Sequence, residues 1–353
     1  MQRTIAEINL KAVKDNADAF ALATGKKLCA VVKANGYGHG AEEIAAALAG
    51  RVEMFAVSIW EEGIALGVAA CGKDILVFTP PATLAQAIAI IESGLIVTVA
   101  DEISAALTVE ASRRANRRAR VHVKVNGGMN RYGVCGEELK RVCRILREGE
   151  RAEVEGVYSH LHVSTRSGAE DVRRRFLTSV AEVKEYFPNV KAHFGGTYAA
   201  LLGEEFCFDM LRVGIGLYGY LPKVELSAAE EAKKPILRKA MTVYAQAVGG
   251  GEYQFGGVGY GDFVLCKKGE KLSVLRFGYA DGFLRRKENG VLGAENNANN
   301  LCMDACIRKS ALERGDWLPV MTDADEVADR TGTIAYEVLC AATRRAEFRY
   351  VYK

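Results

Sequence analysis

The sequence predicts an α/β fold, in which an N-terminal (β/α)8 TIM-like barrel over residues 1–225 precedes a smaller, mainly β domain over residues 226–353. Short apolar segments alternate with helix-period segments through the first two-thirds of the chain, and glycine-rich, β-rich sequence follows. A chain of 353 residues also exceeds the roughly 250–300 residues that one core supports. Two domains are therefore expected.

Eight short runs in the first part have the length and composition of strands buried on both faces, because they lack polar alternation. They are KLCAVV (27–32), MFAVSI (54–59), ILVFT (75–79), LIVTVA (95–100), VHVKV (121–125), VEGVYS (154–159), VKAHF (190–194) and LRVGIGLYG (211–219).

Helix-period segments separate these strands, and several have glycine at or just after their ends. Examples are GAEEIAAALAG (40–50), PATLAQAIAIIESG (81–94), DEISAALTVEASRRA (101–115), GEELKRVCRILREG (136–149) and AEDVRRRFLTSVAEVKEYF (169–187). A doubly wound open sheet would show the same alternation. We favour the barrel because polar residues of interest follow several different strands.

The character of the sequence changes near residue 225. A charged segment, AAEEAKKP (228–235), is followed by the β-rich stretches VYAQAVGGGEYQFGGVGYG (243–261), KLSVLRFGYADGF (271–283) and AEFRYVYK (346–353). This pattern predicts the second, mainly β domain.

The charge distribution excludes a nucleic-acid-binding face. The net charge of +3 results from 47 basic and 44 acidic residues spread along the chain. The most basic run, RRANRRAR (113–120), suits a solvated helix end before a strand. The first residues interrupt every apolar stretch with charge, so neither a signal peptide nor a membrane span is expected.

Cysteine usage indicates a reducing compartment. The nine cysteines include no CxxC pair, which fits reduced thiols in the cytoplasm better than a disulfide framework. Cys302 and Cys306 are the closest pair, but two thiolates without a second ligand pair make a poor zinc site. No metal is expected.

The motif with the most chemistry is AVVKANGYGHG (30–40), in which Lys33 follows a predicted strand. A lysine at the mouth of a barrel can be desolvated, which lowers its pKa and frees the amine to form an imine with an aldehyde. Alone, such a lysine would more often cap a strand at the surface. The whole string resembles the signature of alanine racemases, whose lysine carries pyridoxal 5'-phosphate as a Schiff base. The matching residues are Lys33, Asn35, Tyr37, Gly38, His39 and Gly40.

Further segments resemble the same family in order along almost the entire chain. VHVKVNGGMNRYG (121–133) is similar to the segment that supplies a lysine, often carbamylated, and an arginine near the cofactor's phenolic oxygen and the substrate. The resemblance assigns these roles to Lys124 and Arg131. A carbamate would make Lys124 an anion able to hold Arg131 by a bidentate pair.

The family pattern also includes a histidine and an arginine that lie near the pyridine ring of the cofactor. The resemblance implies that His160, in GVYSHLHVS (156–164), supports Arg212, in FDMLRVGIGLYG (208–219), beside the ring nitrogen. Arginine stays protonated in proteins and cannot give that nitrogen a proton. The ring would stay neutral and withdraw less charge, which favours return of the substrate proton over transamination.

The phosphate is expected where barrels commonly bind it, after the last two strands. The expected groups are Thr197, in HFGGTYAAL (193–201), and the backbone of Gly214 and Ile215. Tyr37 and Tyr336, the latter in TIAYEV (333–338), resemble the family's phosphate-contacting tyrosines.

The second domain is expected to supply the other base. VGYG (258–261) resembles the loop with the family's catalytic tyrosine, here Tyr260. Tyr279 and Met303 resemble residues of the substrate site, where the methionine backbone helps to hold the substrate carboxylate. In these racemases such residues come from the opposite subunit, which implies a head-to-tail homodimer. Lys33 and Tyr260 would act as two bases on opposite faces of Cα.

The sequence departs from the family pattern at three pairs of positions. Asn126 and Gly127 replace aspartate and threonine, Gly196 and Thr197 replace an asparagine-serine pair with the hydroxyl kept at Thr197, and Asn299 and Asn300 replace glycine and arginine. These departures bear on substrate choice more than on reaction type.

The sequence therefore predicts an isomerase that interconverts L- and D-alanine and supplies D-alanine to the cell wall. A serine or broad-specificity racemase on the same scaffold is an alternative. A pyridoxal-phosphate decarboxylase would need an acidic partner for the ring, which Arg212 contradicts. A non-catalytic protein that binds the cofactor would leave the second domain and Tyr260 without a role.

Overall fold

The computed structural model describes residues 4–260, 266–285 and 301–353, and its first elements are the strand β1 (Ile5–Asn9) and the helix α1 (Leu10–Thr24). The chain forms two units. The barrel unit comprises Val13–Gly36 and Ala41–Arg238. The mainly β unit comprises the described part of Met1–Ala12 together with Tyr37–Gly40 and Lys239–Lys353.

Eight parallel strands make up the barrel. They are β2 (Lys27–Val31), β3 (Met54–Val57), β4 (Asp74–Val77), β5 (Val97–Val99), β6 (Ala119–Lys124), β7 (Ala152–Tyr158), β8 (Lys191–His193) and β9 (Met210–Val213).

Pairing closes these strands into a ring. Two four-stranded sheets, β4-β3-β2-β9 and β5-β6-β7-β8, carry the ladders. A parallel bridge between Leu76 and Ile96 joins the sheets on one side. On the other side, Asp209 N donates to Ala192 O at 3.0 Å and Arg212 N donates to Gly195 O at 3.1 Å. The result is the predicted (β/α)8 barrel.

Burial explains why the barrel strands read as continuous apolar runs. Every residue of β3 and of β5 is buried, as expected for strands whose inner face meets the side chains that fill the barrel and whose outer face meets the helices.

The barrel helices are α2 (Lys33–Gly38), α3 (Ala41–Leu48), α4 (Trp60–Leu66), α5 (Leu84–Glu92), α6 (Glu102–Arg114), α7 (Gly136–Glu148), α8 (Arg166–Tyr186), α9 (Thr197–Leu202) and α10 (Ala228–Glu231).

Local sequence sets the bounds and faces of these helices. In α7, Leu139, Val142, Cys143 and Leu146 are buried at helical spacing. Helix α6 begins after Asp101, whose carboxylate accepts a 2.6 Å hydrogen bond from the Ser104 backbone N–H. Amphipathic periodicity and side-chain caps together therefore give the strand-to-helix alternation.

The mainly β unit is built on a six-stranded sheet that includes β1. Its later elements are β10 (Met241–Glu252), β11 (Lys271–Leu275), β12 (Cys306–Lys309), β13 (Trp317–Met321), α11 (Ala324–Thr331), α12 (Ala335–Ala342) and β14 (Glu347–Val351). The strand order is β12-β11-β10-β1-β14, with β13 also paired to β10. Strand β1 runs antiparallel to β10 and parallel to β14.

The predicted fold class is confirmed by a parallel eight-stranded barrel together with this separate sheet. Within the described ranges, every helix is too short or too polar to cross a lipid bilayer.

Candidate active site

Lys33 lies at the start of α2, directly after the barrel strand β2, and its side chain is partly buried. The helix is left-handed, because the φ angles are positive from Ala34 (52°) through Asn35 (52°), Gly36 (63°) and Tyr37 (52°) to Gly38 (80°). This conformation costs a non-glycine residue about 1–2 kcal/mol. A backbone that is unfavourable at three non-glycine residues therefore follows the candidate catalytic lysine.

Three hydrogen bonds hold this left-handed turn. Gly36 N donates to Val32 O at 2.8 Å, and Ala41 N donates to the side-chain oxygen of Asn35 at 2.9 Å. Ala34 N donates to Oε1 of Glu62 at 2.7 Å. The motif residues after Lys33 thus stabilise the left-handed backbone conformation, and Glu62 stabilises it from the helix α4.

The two expected phosphate-contacting tyrosines lie together in the mainly β unit. The ring centroids of Tyr37 and Tyr336 are 6.1 Å apart. Burial raises the pKa of Tyr37, and the neighbouring Tyr336 and Cys340 raise it further. Burial and Asp325 raise the pKa of Tyr336. Both phenols therefore keep their protons at neutral pH and can donate hydrogen bonds.

Arg212 is buried at the end of β9, and protein acceptors occupy both terminal nitrogens of its guanidinium. Nη2 donates to Ser159 O at 2.6 Å and to Phe194 O at 3.0 Å. Nη1 donates to His193 O at 2.9 Å and to His193 Nδ1 at 2.8 Å. Burial lowers the pKa of Arg212, but an arginine remains protonated in a protein. A fixed cation results.

A second histidine extends this contact into the barrel. His193 Nε2 lies 2.9 Å from His122 Nδ1. Because arginine can only donate, Nδ1 of His193 must accept, its proton must be on Nε2, and His122 Nδ1 accepts in turn. Burial, with the charges of Arg120 and Arg212, lowers the pKa of His122 to about 3. Burial and Arg212 also lower the pKa of His193 well below its usual value.

The His122 ring needs the space that Gly156 leaves free. A Cβ added to Gly156, on the adjacent strand β7, would lie 2.7 Å from His122 Nε2 and from His122 Cδ2. The ring of His193 stacks on that of Tyr158, with centroids 5.0 Å apart. Arg212, His193 and His122 therefore form a chain in which only the arginine is charged.

His160 follows β7 and is partly buried. Burial lowers its pKa to about 3, and the charges of Arg212 and Lys124 add to this effect. In the part of the chain that the structure describes, the hydrogen bonds of Arg212 go to His193 and to backbone carbonyls, and none joins it to His160. The neighbour that supports the guanidinium is thus His193, which the sequence reasoning missed.

Lys124 is buried at the end of β6. Its Nζ donates to Val125 O at 3.0 Å and to Ser159 Oγ at 3.4 Å. Burial lowers the pKa of Lys124 to about 7, and the charges of Arg212 and Arg131 contribute. Near neutral pH a large fraction of this amine is therefore uncharged and nucleophilic.

The segment between Lys124 and Arg131 contains the first of the departures from the family pattern. Asn126 Oδ1 accepts from Gly128 N at 2.9 Å, and Asn126 Nδ2 donates to Asn130 Oδ1 at 2.9 Å. A Cβ at Gly127 would lie 2.9 Å from Ser159 Oγ. Asn126 therefore orders the turn before the exposed Arg131, and Gly127 leaves room for the Lys124 partner Ser159.

Two adjacent turns after β8 and β9 present backbone amides. Thr197 begins α9, Ile215 begins a 3₁₀ turn (Ile215–Tyr218), and Gly216 N donates to Thr197 Oγ1 at 3.2 Å. Gly196 caps α9 through its backbone. Backbone N–H groups at the start of a helix favour the binding of an anion. These two turns follow the last two barrel strands, which is where barrels commonly bind phosphate.

The other predicted site residues belong to the mainly β unit. Tyr260 is 65% exposed, and the Arg285 guanidinium lies 5.8 Å from the centroid of its ring. Tyr279 N donates to Cys302 O at 3.1 Å, and the next amide donates to Met303 O at 3.0 Å. The structure therefore brings Tyr279 and Met303 together. Asn299 and Asn300 lie outside the described residues.

Three functional neighbours were missed from the sequence, namely His193, His122 and Glu62. The first two are histidines within apolar barrel strands, and a single histidine there is only a weak indication of a functional role. The contact between them could be found only once the pairing of the strands was known. Glu62 carries an ordinary helix-start signal, since it occupies the third position of α4.

Comparison with known proteins gives one consistent result. Family models described as the N-terminal and the C-terminal domain of alanine racemase match residues 8–222 and 240–350. An alanine racemase of Symbiobacterium thermophilum is 31% identical, over 98% of this chain and 96% of that protein.

Solved structures agree over the whole chain. The alanine racemase from Streptomyces coelicolor has a TM-score of 0.88 and 26% identity, covering 100% of this chain and 99% of that one. The Bartonella henselae alanine racemase with covalently bound pyridoxal phosphate has a TM-score of 0.81 and 25% identity, covering 99% of each chain.

Proposed function

The chain belongs to the alanine racemase family, and we propose that it interconverts L- and D-alanine with pyridoxal 5'-phosphate held on Lys33. The observation that carries this proposal is the buried Arg212, a fixed cation whose only side-chain hydrogen-bond partner among the described residues is the uncharged His193. A cation in this place suits a racemase and does not suit a decarboxylase.

The residues present fit the cofactor. Lys33 supplies an amine, and the backbone amides near Gly214 and Ile215, with the Thr197 hydroxyl, offer a place for the phosphate. We propose that Tyr37 and Tyr336, which keep their phenolic protons, donate to the same phosphate. Arg131 and His160 are proposed to contact the ring and its phenolic oxygen. When bound, pyridoxal phosphate acts as an electron sink that makes the substrate Cα–H acidic.

Arg212 would act on the balance between proton return and side reactions. Because a guanidinium donates hydrogen bonds without giving up its proton, Arg212 would keep the ring nitrogen of a bound cofactor unprotonated and so limit the electron-withdrawing power that the cofactor supplies. Return of a proton to Cα would then be favoured over side reactions such as transamination. The four acceptors around Arg212 hold the guanidinium in one orientation.

We propose that Lys33 and Tyr260 are the two bases, one on each face of Cα. One removes the α-proton and the other returns a proton to the opposite face, so both stereochemical directions are possible. Tyr279 and the backbone of Met303, which lie together, are proposed to hold the substrate carboxylate. Arg131 would contact the substrate from the barrel unit.

We further propose a head-to-tail homodimer in which the domain over residues 226–353 supplies Tyr260, Tyr279 and Met303 to the partner's barrel. The exposed positions of Tyr260 (65%) and Met303 (53%) support this arrangement, because such side chains are available to a second copy.

Lys124 is proposed to be carbamylated. Its pKa of about 7 leaves an uncharged amine that can add to carbon dioxide, so that an N–C bond forms, one N–H proton is released to solvent and the product is a carbamate anion. An anion beside Arg212 and Arg131 replaces a cation in the same place, which removes a like-charge repulsion. The carbamate could then orient Arg131 by a bidentate contact.

We propose a cytoplasmic location, with D-alanine supplied to the cell wall. The nine cysteines, all within the described residues, are thiols and not disulfides, which suits a reducing compartment.

Chirally resolved turnover tests the proposed function. Purified protein loaded with pyridoxal phosphate is given L-alanine or L-serine, and the D-enantiomers are followed over time. D-alanine well ahead of D-serine supports the proposal. Dominant D-serine would keep the mechanism and change the substrate, and neither product with the cofactor bound would overturn the assignment.

A further inference from the structure

We propose that Glu62 is a positioning residue for Lys33, because its carboxylate holds the left-handed turn from which the lysine extends. The inference rests on the proposed function, since Lys33 matters only if it carries the cofactor. Glu62 belongs to α4, which follows the neighbouring barrel strand β3. It is therefore separated in sequence from the segment that it supports.

One carboxylate bridges the ends of two adjacent strands. Oε1 of Glu62 accepts from Ala34 N, after β2, at 2.7 Å. Oε2 accepts from Ser58 N at 2.8 Å and from Ile59 N at 3.3 Å, after β3. Strands β2 and β3 are paired, with Val31 opposite Ala56. The same side chain thus links the first residue after Lys33 to the segment that follows β3.

The backbone at this point needs such support. Ala34, Asn35 and Tyr37 have φ of 52°, a conformation that residues with a Cβ disfavour. A hydrogen bond from a backbone amide to a carboxylate is charge-assisted and stronger than one to a neutral acceptor. The Glu62 contact therefore favours an Ala34 conformation that the chain would otherwise leave.

A role for Glu62 as a helix cap alone would use only one of its two carboxylate oxygens. As the third residue of α4 it satisfies the N–H of Ile59, which is an ordinary helix start. That role involves Oε2 and leaves no reason for the bond from Oε1 to Ala34. The two roles predict different responses to a substitution at Ala34, which lies outside α4.

Hydrogen exchange of the Ala34 amide tests the contact directly. The native protein, Glu62→Ala and the control Glu61→Ala are compared in their cofactor-free forms. Glu61 is the exposed neighbour on the same helix. We expect slow exchange in the native protein and in the control, and exchange at least about tenfold faster in Glu62→Ala. Rapid exchange in the native protein would overturn the proposal without any variant.

Cofactor binding tests the consequence for Lys33. We expect the apparent dissociation constant for pyridoxal phosphate, followed by the visible band of the lysine-bound cofactor, to rise about tenfold in Glu62→Ala. Glu61→Ala should bind as the native protein does. Adding Ala34→Gly to Glu62→Ala should restore several-fold of the affinity, because glycine accepts a positive φ without penalty.

The outcomes separate the two proposals. If Ala34→Gly gives no rescue, or if Glu61→Ala and Glu62→Ala behave alike, Glu62 is only a helix cap and the inference is wrong. If the native protein does not bind pyridoxal phosphate on Lys33, the proposed function fails, and the exchange of the Ala34 amide still decides whether Glu62 holds the turn.

Discussion

Nη1 of Arg212 donates a 2.8 Å hydrogen bond to Nδ1 of His193, and this contact fixes the proton of the imidazole on Nε2. His193 Nε2 must therefore donate to His122 Nδ1, 2.9 Å away. One arginine thus determines the tautomers of two buried histidines. The orientation of the guanidinium depends in return on both rings, so a change far from Arg212 can alter the active site.

Substitution of Gly156 by alanine should reduce activity by displacing His122. The new Cβ would lie 2.7 Å from the imidazole, closer than packing allows, so the ring must move away from His193. We expect kcat/KM to fall about tenfold, the loss that corresponds to one hydrogen bond. Gly50→Ala is the control, because a Cβ there meets nothing within 4 Å. Equal activity in the two variants would contradict the role of the histidine chain.

Asp281 should make the mainly β unit sensitive to acid. Its carboxylate is fully buried and pairs with Arg276 and Arg345. Burial alone would raise its pKa, but the hydrogen bonds from Arg345 and Gly278 N outweigh burial and lower it. Its contribution to stability is therefore present above the unfolded pKa of about 3.9 and is lost as the pH falls through the lower folded value.

Asp281→Asn measures this contribution. We expect the free energy of unfolding at pH 7 to fall by about 1–3 kcal/mol, because the buried side chain loses charge-assisted hydrogen bonds that its carboxylate accepts from Arg276, Arg345 and Gly278 N. The difference from the native protein should shrink below about pH 4. Asp304→Asn, which removes the exposed partner of Arg345, should cost less than about 1 kcal/mol. A pH-independent loss for Asp281→Asn would contradict the assignment.

Lys124 should oppose folding when it is protonated. Its folded pKa of about 7 lies below the unfolded value, so the unfolded chain binds more protons between about pH 7 and pH 10 and stability rises with pH in that interval. Lys124→Met removes this dependence. In buffer free of carbon dioxide we expect the variant to be more stable than the native protein at pH 7, by up to about 5 kcal/mol.

Bicarbonate then distinguishes the free amine from the carbamate. Added bicarbonate should stabilise the native protein against urea and leave Lys124→Met unchanged, because only the lysine can form a carbamate. Identical responses of the two proteins would rule out carbamylation at this position.

The sequence predicted the barrel strands because their signals are local. A run such as MFAVSI has the composition of a strand buried on both faces, and β3 lies within it. The pairing of β1 with β10 and β14 has no such signal, since its partners lie far along the chain. The family and the cofactor were predicted from motifs, and these predictions are confirmed by matches over almost the entire chain.

The supporting residues of the site could not be predicted in the same way. The left-handed turn after Lys33 places positive φ on Ala34 and Asn35, and only the glycines of the motif hinted at an unusual backbone. The partner of Arg212 was expected to be His160, whereas the hydrogen bond is to His193. His193 ends β8, the neighbour of the strand β9 that contains Arg212, whereas His160 lies two residues after the end of β7.

Mixed dimers test whether the site is shared between subunits. Lys33→Ala and Tyr260→Phe should each be inactive alone, because each lacks one of the two bases. If the tyrosine comes from the partner, a dimer of the two variants contains one intact site. Random mixing should then restore about a quarter of the native activity. No activity above that of the separate variants would contradict a shared site.

Exchange of the α-proton in heavy water tests the pairing of Lys33 with Tyr260 most directly. The Tyr260→Phe variant, loaded with pyridoxal phosphate, is given L-alanine and D-alanine separately, and deuterium incorporation and enantiomer content are followed together. We expect one enantiomer still to exchange its α-proton, through Lys33, while the other does not and racemisation stops. Equal loss of exchange from both enantiomers, or continued racemisation, would contradict it.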